Sequence, residues 1–143
     1  MRYAAFFLAW ILFAQAVPDL ASVRAEPNLE KRYWMALEFS ALRVTSARKD
    51  YEEGRIKDFT SGLGLAAEAV ALCDASLRST GKNPSKSPRH FKRAELKMRE
   101  ILRRLRTLED EVSIDERGIV AKIRMRIQEI HDELLLDIMG RRK

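Results

Sequence analysis

One cluster in the sequence combines residue types that could ligate a metal or carry out acid–base catalysis, and it surrounds His131. The segment Glu129-Ile-His-Asp-Glu133 places a histidine beside carboxylates. Di-iron helical bundles use Glu-x-x-His so that both side chains lie on one helix face. Here residue 128 is Gln, and Glu129 points to another face of the helix. The sequence therefore predicts a solvated polar face at His131, and no catalytic, cofactor-binding or metal-binding residue.

The largest charge cluster is a basic run at a loop and the start of a helix. Its members are Lys82, Lys86, Arg89, Lys92 and Arg93, with His90 and Lys97 nearby. Positive charge at a helix N-terminus opposes the helix dipole, so these residues are not placed to stabilise the helix. The run has two interpretations: a solvated loop, or a contact with anionic lipid headgroups or an acidic protein.

Cys73 is the sole cysteine, so an internal disulfide is excluded. It lies among Val70, Leu72 and Leu77, which predicts a small buried core residue. A reactive thiol or an intermolecular disulfide is the alternative. Because the chain has no Cys–His pair in a shared register and no serine in a strand-to-helix elbow, we expect no enzyme.

Composition indicates one helical globular domain. The chain has 143 residues, of which 46% are hydrophobic and 34% charged, which excludes disorder and a membrane-embedded body. Good helix formers dominate, and no alternating strand pattern occurs. The net charge of +6 is not by itself the footprint of a nucleic-acid-binding protein.

The N-terminal segment has the pattern of an export signal. Arg2 precedes an apolar run from Ala4 to Val17, and Val23-Arg24-Ala25 offers small or compact side chains before a cut at Glu26. Ala14-Gln15-Ala16 also fits, but it leaves almost no polar segment before the cut. An uncleaved anchor is the rival interpretation, although the run is shorter than the roughly 20 residues that a bilayer requires. We therefore expect a signal peptide at 1–25, no transmembrane segment after cleavage, and a periplasmic or extracellular protein that binds no nucleic acid.

Two helices are predicted between residues 28 and 80. Asn28 can cap the first, which runs to about Glu53 and closes at Gly54. The second begins near Asp58 or Ser61 and runs to about Thr80. Steps of three and four residues mark its apolar face, formed by Phe59, Leu63, Ala66, Val70, Cys73 and Leu77.

A linker at 81–88 contains two prolines and separates the first helical pair, at 28–80, from a second helical pair at 89–140. The third helix carries the strictest repeat, at Phe91, Ala94, Met98, Ile101, Leu105, Leu108 and Val112. Ser113 and Glu116 fit a capping box for the fourth helix. Short links within each pair predict an all-α, antiparallel, up-down four-helix bundle made of two hairpins. Stacked repeat-like hairpins are the alternative, the strict repeat could also serve a dimer seam, and the oligomeric state stays open.

Two resemblances accompany these patterns. The region 47–72, with Tyr51-Glu52-Glu53-Gly54, Phe59 and Ala66-Ala67-Glu68-Ala69, is similar to the helix–turn–helix of a tetratricopeptide repeat. It occurs once, whereas such arrays need about three copies. The segments 86–96 and 131–135 resemble a pattern in uncharacterised exported bacterial helical-bundle proteins, a family with no assigned activity.

These patterns predict an exported, non-enzymatic helical protein that acts as a structural or interaction module of the cell envelope. The aromatics Trp34 and Phe39, together with the basic run, would bind an unknown protein partner or the anionic envelope surface. The alternative is a small-ligand or metal-binding bundle, which requires a cavity lined by convergent polar groups.

Overall fold

The computed structural model describes residues 19–141. As predicted, the regular secondary structure of this part of the chain is α-helical, with no strand. Five helices follow one another: α1 (Leu20–Ala25), α2 (Leu29–Glu52), α3 (Ile56–Ser79), α4 (Arg89–Glu111) and α5 (Ile114–Ile138). None of these helices is long and apolar enough to span a membrane.

The ends of the long helices follow local signals in the sequence. The Asn28 side chain accepts a hydrogen bond from the backbone N–H of Lys31 at 3.1 Å and caps α2. Gly54 follows α2 with φ +76°, a conformation that glycine adopts without steric cost. Helix α3 begins at Ile56, earlier than predicted, so Gly62 lies inside it. A Cβ at Gly62 would lie 3.8 Å from the Cβ of Ala47, which is an ordinary contact between α3 and α2.

The capping box predicted for α5 is wrong. Ser113 is the N-cap of α5, but its side chain makes no cap hydrogen bond to the backbone. Its hydroxyl instead bonds the Glu116 carboxylate, and its backbone N–H donates to the Tyr51 hydroxyl at 2.9 Å. Because Tyr51 lies at the end of α2, the α4–α5 turn is attached to the first helical pair rather than capped only by its own residues.

The four long helices pack around one core. Helix α2 lies against α3 and α4, and α5 lies against α4 and α3. The strict repeat that begins in α4 packs in the core of this chain, because all seven of its residues are at most 2% exposed. An intermolecular seam built on those residues is therefore excluded. Cys73 in α3 is also fully buried, as predicted, and burial raises the pKa of its thiol well above the usual value.

The short helix α1 was not predicted. It falls in the segment assigned to the signal peptide, whose residues 1–18 lie outside the described part of the chain. Asp19 caps α1 by accepting from the backbone N–H of Ser22 at 2.8 Å. Helix α1 lies against α2 and α3, and its Val23 side chain is fully buried there.

Candidate anionic-surface site

The predicted basic run lies on one exposed surface, which we call the basic surface. Its five members, Lys82, Lys86, Arg89, Lys92 and Arg93, are all exposed, and they occupy the linker and the first turns of α4. All five side chains therefore face solvent in the linker and where α4 begins.

The linker presents these charges on an ordered turn. The Asn83 side-chain oxygen accepts hydrogen bonds from the backbone N–H groups of Ser85 at 3.0 Å and Lys86 at 3.1 Å. It also accepts from the Ser85 hydroxyl at 2.8 Å. Asparagine side chains commonly stabilise turns in this way. The backbone that carries Lys86 is thereby held in place beside the start of α4.

Two members of the basic surface are occupied by contacts to α2. The Lys82 ammonium lies 2.7 Å from Glu30 Oε1, and this hydrogen bond is the main cause that lowers the pKa of Glu30. The Arg93 guanidinium lies 3.8 Å from the centre of the Trp34 ring, which places a cation over the face of an indole. The first contact ties the linker to α2, and the second ties α4 to α2.

The other three members are unpaired. Lys86, Arg89 and Lys92 have no ion pair within 4 Å among residues 19–141. Unpaired exposed cations retain their charge for an external anion, whereas a neighbouring carboxylate would offset it. Arg89 also helps to lower the pKa of Glu30 from beyond ion-pair distance, so Lys86 and Lys92 are the members of the basic surface that are most open to an anionic partner.

The outer face of α4 extends the basic surface. Between residues 89 and 106, α4 carries eight basic and two acidic side chains. Leu96 is 59% exposed on this helix, and it lies one helical turn beyond Lys92. Arg103 and Arg106 are exposed further along α4 and also lack an ion pair within the described part of the chain. This extension was not predicted from the sequence, although the excess of basic residues in this stretch of α4 indicates it.

The aromatic contribution predicted for this surface is wrong for Phe39 and stays a prediction for Trp34. Phe39 is 3% exposed and belongs to the core, so it offers nothing to a partner. Trp34 remains half-buried at the surface, where its indole N–H donates to Glu38 at 2.8 Å. Phe39 and Trp34 are five positions apart in α2, which turns them to different faces of the helix.

The prediction that His131 lies on a solvated polar face is wrong. His131 is 7% exposed, and its Nε2 lies 2.8 Å from Oε1 of Glu95, which is 5% exposed in α4. The Arg99 guanidinium lies 2.5 Å from the same Glu95 oxygen. On the other side of the ring, Nδ1 of His131 lies 3.1 Å from the Asp132 carboxylate. The sequence could not reveal this pair, because Glu95 and His131 meet only when α4 packs on α5.

The environment of Glu95 favours its charged form. Burial raises the pKa of this carboxyl group, but hydrogen bonds from Arg99 and His131 outweigh it, so the pKa lies below its ordinary value of 4.5. A charged Glu95 that is bonded from both sides can link α4 to α5. Both members of the Glu95–His131 pair are buried, so these side chains bind each other and not a molecule from solvent.

A groove of about 300 Å³ lies between α2 and α4. Val44 and Leu108 are among its lining residues, with the arginines Arg48, Arg103 and Arg104. Arg48 is paired with Glu111 at 2.9 Å, and Arg104 with Glu100 at 2.5 Å. Residues 19–141 hold no group of three or more His, Cys, Asp or Glu side chains that could bind a metal ion.

Comparison of the chain with protein-family models, with curated proteins and with solved structures gives no match. The two resemblances noted in the sequence therefore stay predictions.

Proposed function

We propose that this protein is an exported, non-enzymatic helical module that binds the anionic surface of the cell envelope. The observation that carries the proposal is the set of three unpaired cations, Lys86, Arg89 and Lys92, on an ordered turn and the first turns of α4. Each basic side chain near an anionic membrane surface contributes about 1 kcal/mol of binding free energy. Leu96, exposed beside Lys92, adds an apolar group that can enter the headgroup region.

Export is the second part of the proposal, and the N-terminal sequence supports it. Arg2 followed by the apolar run Ala4–Val17 is the pattern of a secretory signal. An exported protein meets anionic lipid and polymer surfaces and does not meet cytoplasmic nucleic acid, which accords with a moderate positive charge.

We also propose an antiparallel up-down order for the four long helices. Contacts between the pairs support the alternating directions: Tyr33 near the start of α2 lies 3.0 Å from His90 at the start of α4, and Arg48 near the end of α2 lies 2.9 Å from Glu111 at the end of α4, so α2 and α4 run in the same direction. Short links at 53–55 and 112–113 require antiparallel partners within each pair. In this arrangement α4 keeps one long face toward solvent, where its basic residues lie.

Binding to vesicles tests the proposed surface. We expect the protein to bind vesicles that contain phosphatidylglycerol and not vesicles of phosphatidylcholine, with affinity that falls as salt is added. The variant K86Q/R89Q/K92Q should lose about 100-fold in affinity, because it removes about 1 kcal/mol at each of three positions. A sedimentation assay at two salt concentrations measures both effects.

The matched control is K57Q/K122Q/R126Q, which changes the net charge equally. These three residues are exposed on α3 and α5 and have no ion pair among the described residues. The control variant should bind nearly as well as the wild-type protein. Equal loss in both variants would mean that only net charge matters, and wild-type affinity in K86Q/R89Q/K92Q would exclude the basic surface as the membrane contact.

A small-ligand function is the second candidate, and the groove between α2 and α4 is the observation that favours it. An organic anion there would meet Arg48, Arg103 and Arg104 above an apolar floor. Two of these guanidinium groups are already neutralised by Glu111 and Glu100, so an incoming anion must displace a carboxylate or share the arginine. Lys86 and Lys92 carry no such competition, and Arg89 forms no ion pair within 4 Å among the described residues, which is why the envelope surface is the preferred partner.

A further inference from the structure

We infer that signal cleavage follows Ala16, so that the exported protein begins at Val17 and keeps helix α1. This inference rests on the export that is proposed above. It assigns a processing site different from the one after Ala25 that the sequence alone favours.

Helix α1 is integrated into the core. Val23 is fully buried and Leu20 is 8% exposed, and both side chains belong to the same apolar cluster as the core residues of α2 and α3. A fully buried aliphatic side chain contributes to folding in proportion to the apolar area that it removes from water. These two side chains make α1 part of the folded domain.

Polar contacts fix the same helix at both ends. The Asp19 carboxylate accepts from the backbone N–H of Ser22 at 2.8 Å and from its hydroxyl at 2.6 Å. Near the other end, the Arg24 guanidinium lies 3.5 Å from Glu68 of α3. An N-cap and an interhelical ion pair on a segment that cleavage discards would have no role in the mature protein.

A cut after Ala25 would remove all of these groups. Val23 would be the third residue before that cut, so the peptidase would take away a side chain that fills the core. The surfaces of α2 and α3 that cover Leu20 and Val23 would then face water. Exposed apolar surface of this kind destabilises a small domain.

A cut after Ala16 retains the whole helix and its cap. Ala14 and Ala16 supply the small side chains that the peptidase requires at the third and the first position before the cut. Val17 and Pro18 would then precede the capping residue Asp19. Residues 14–18 lie outside the described part of the chain, so the choice of this site rests on the types of their side chains and on the retention of α1.

The mature N-terminus decides between the two sites. We would express the full chain in a Gram-negative bacterium, isolate the periplasmic protein, and determine its intact mass and N-terminal sequence. The expected terminus is Val17. A terminus at Glu26, or at any other residue, overturns the inference and leaves export intact, whereas an unprocessed chain that stays in the cytoplasm overturns export as well.

A matched pair of variants separates the two sites directly. A16F places a bulky side chain immediately before the proposed cut and should abolish processing there. A25F does the same before the alternative cut, and since Ala25 is exposed the substitution is compatible with the fold. We expect A25F to be processed like the wild-type protein. Loss of processing in A25F, or unchanged processing in A16F, would contradict the inference.

Discussion

At the scale of single residues, Glu95 and His131 form a buried hydrogen-bonded pair between two helices. Both are polar, and both lie in the interior where α4 meets α5. Glu95 is bonded by Arg99 along its own helix and by His131 across the interface. A buried charge is tolerated only when its partners replace the lost hydration, so removal of one partner is costly. We expect this pair to stabilise the α4–α5 contact.

The variant E95Q tests that role through the pH dependence of stability. The pKa of Glu95 in the folded protein lies below its value in the unfolded chain. Its charge therefore stabilises the fold above the unfolded-state pKa, and this contribution is lost as pH falls through the folded-state pKa. At pH 7 we expect E95Q to lower the free energy of unfolding by about 1–3 kcal/mol. The difference from the wild type should shrink below about pH 4, and urea unfolding at several pH values measures it.

The control for E95Q is E52Q, which neutralises a carboxylate in an exposed pair. Glu52 lies 3.4 Å from Arg48, with side chains 61% and 52% exposed. Exposed pairs of this kind contribute about 0–1 kcal/mol. If E95Q were no more destabilising than E52Q at pH 7, the buried pair would have no special role in stability.

At the scale of the helices, glycine has a different effect after the end of a helix than inside one. Gly54 follows α2 with φ +76°, where any other residue would be strained. Gly118 lies inside α5 on an exposed turn, and a Cβ there would meet no atom within 4 Å. The same residue type therefore favours the fold at one position and opposes it at the other.

Alanine substitutions at these two glycines should have opposite signs. G54A should lower the free energy of unfolding by about 1 kcal/mol, because alanine must adopt the left-handed conformation. G118A should raise it by about 0.5–1 kcal/mol, because alanine has a higher helix propensity than glycine. Thermal unfolding followed by circular dichroism measures both. Effects of the same sign would contradict the assigned backbone conformations.

At the scale of the whole molecule, the two helical pairs are joined by polar and aromatic contacts as well as by the core. The Tyr33 hydroxyl of α2 lies 3.0 Å from Nδ1 of His90 in α4, and Arg93 of α4 covers Trp34 of α2. The Tyr51 hydroxyl at the end of α2 bonds the α4–α5 turn. Neither pair covers its own apolar face alone, so we expect them to fold together.

Equilibrium unfolding should therefore be a single transition. Trp34 is the only tryptophan beyond residue 25, so in the processed protein its fluorescence reports on the contact between α2 and α4. Far-UV circular dichroism reports on all helices at once. We expect the two probes to give the same urea midpoint, as cooperative small domains do. Separate midpoints would show that the two pairs unfold independently.

Much of the helical architecture could be predicted from local patterns. The all-α class, the cap at Asn28, the glycine end at 54, the linker and the buried face around Cys73 all follow from periodicity and turn chemistry. These features depend on residues within one or two helical turns of each other, which is the range over which sequence spacing determines contact. The surface position of the basic run followed in the same way, since a linker with two prolines cannot be buried in a helix core.

Only the tertiary structure decided which distant residues meet. In the folded protein His131 is the buried partner of Glu95, and Phe39 lies in the core. Ser113 bonds Tyr51 through its backbone N–H and forms no capping box. Val23 of α1 also lies in the core, which could not be predicted for an apolar residue near a signal segment. The physical reason is the same in each case: burial and pairing depend on the neighbouring helix, whereas a helical repeat specifies only which residues of one helix share a face.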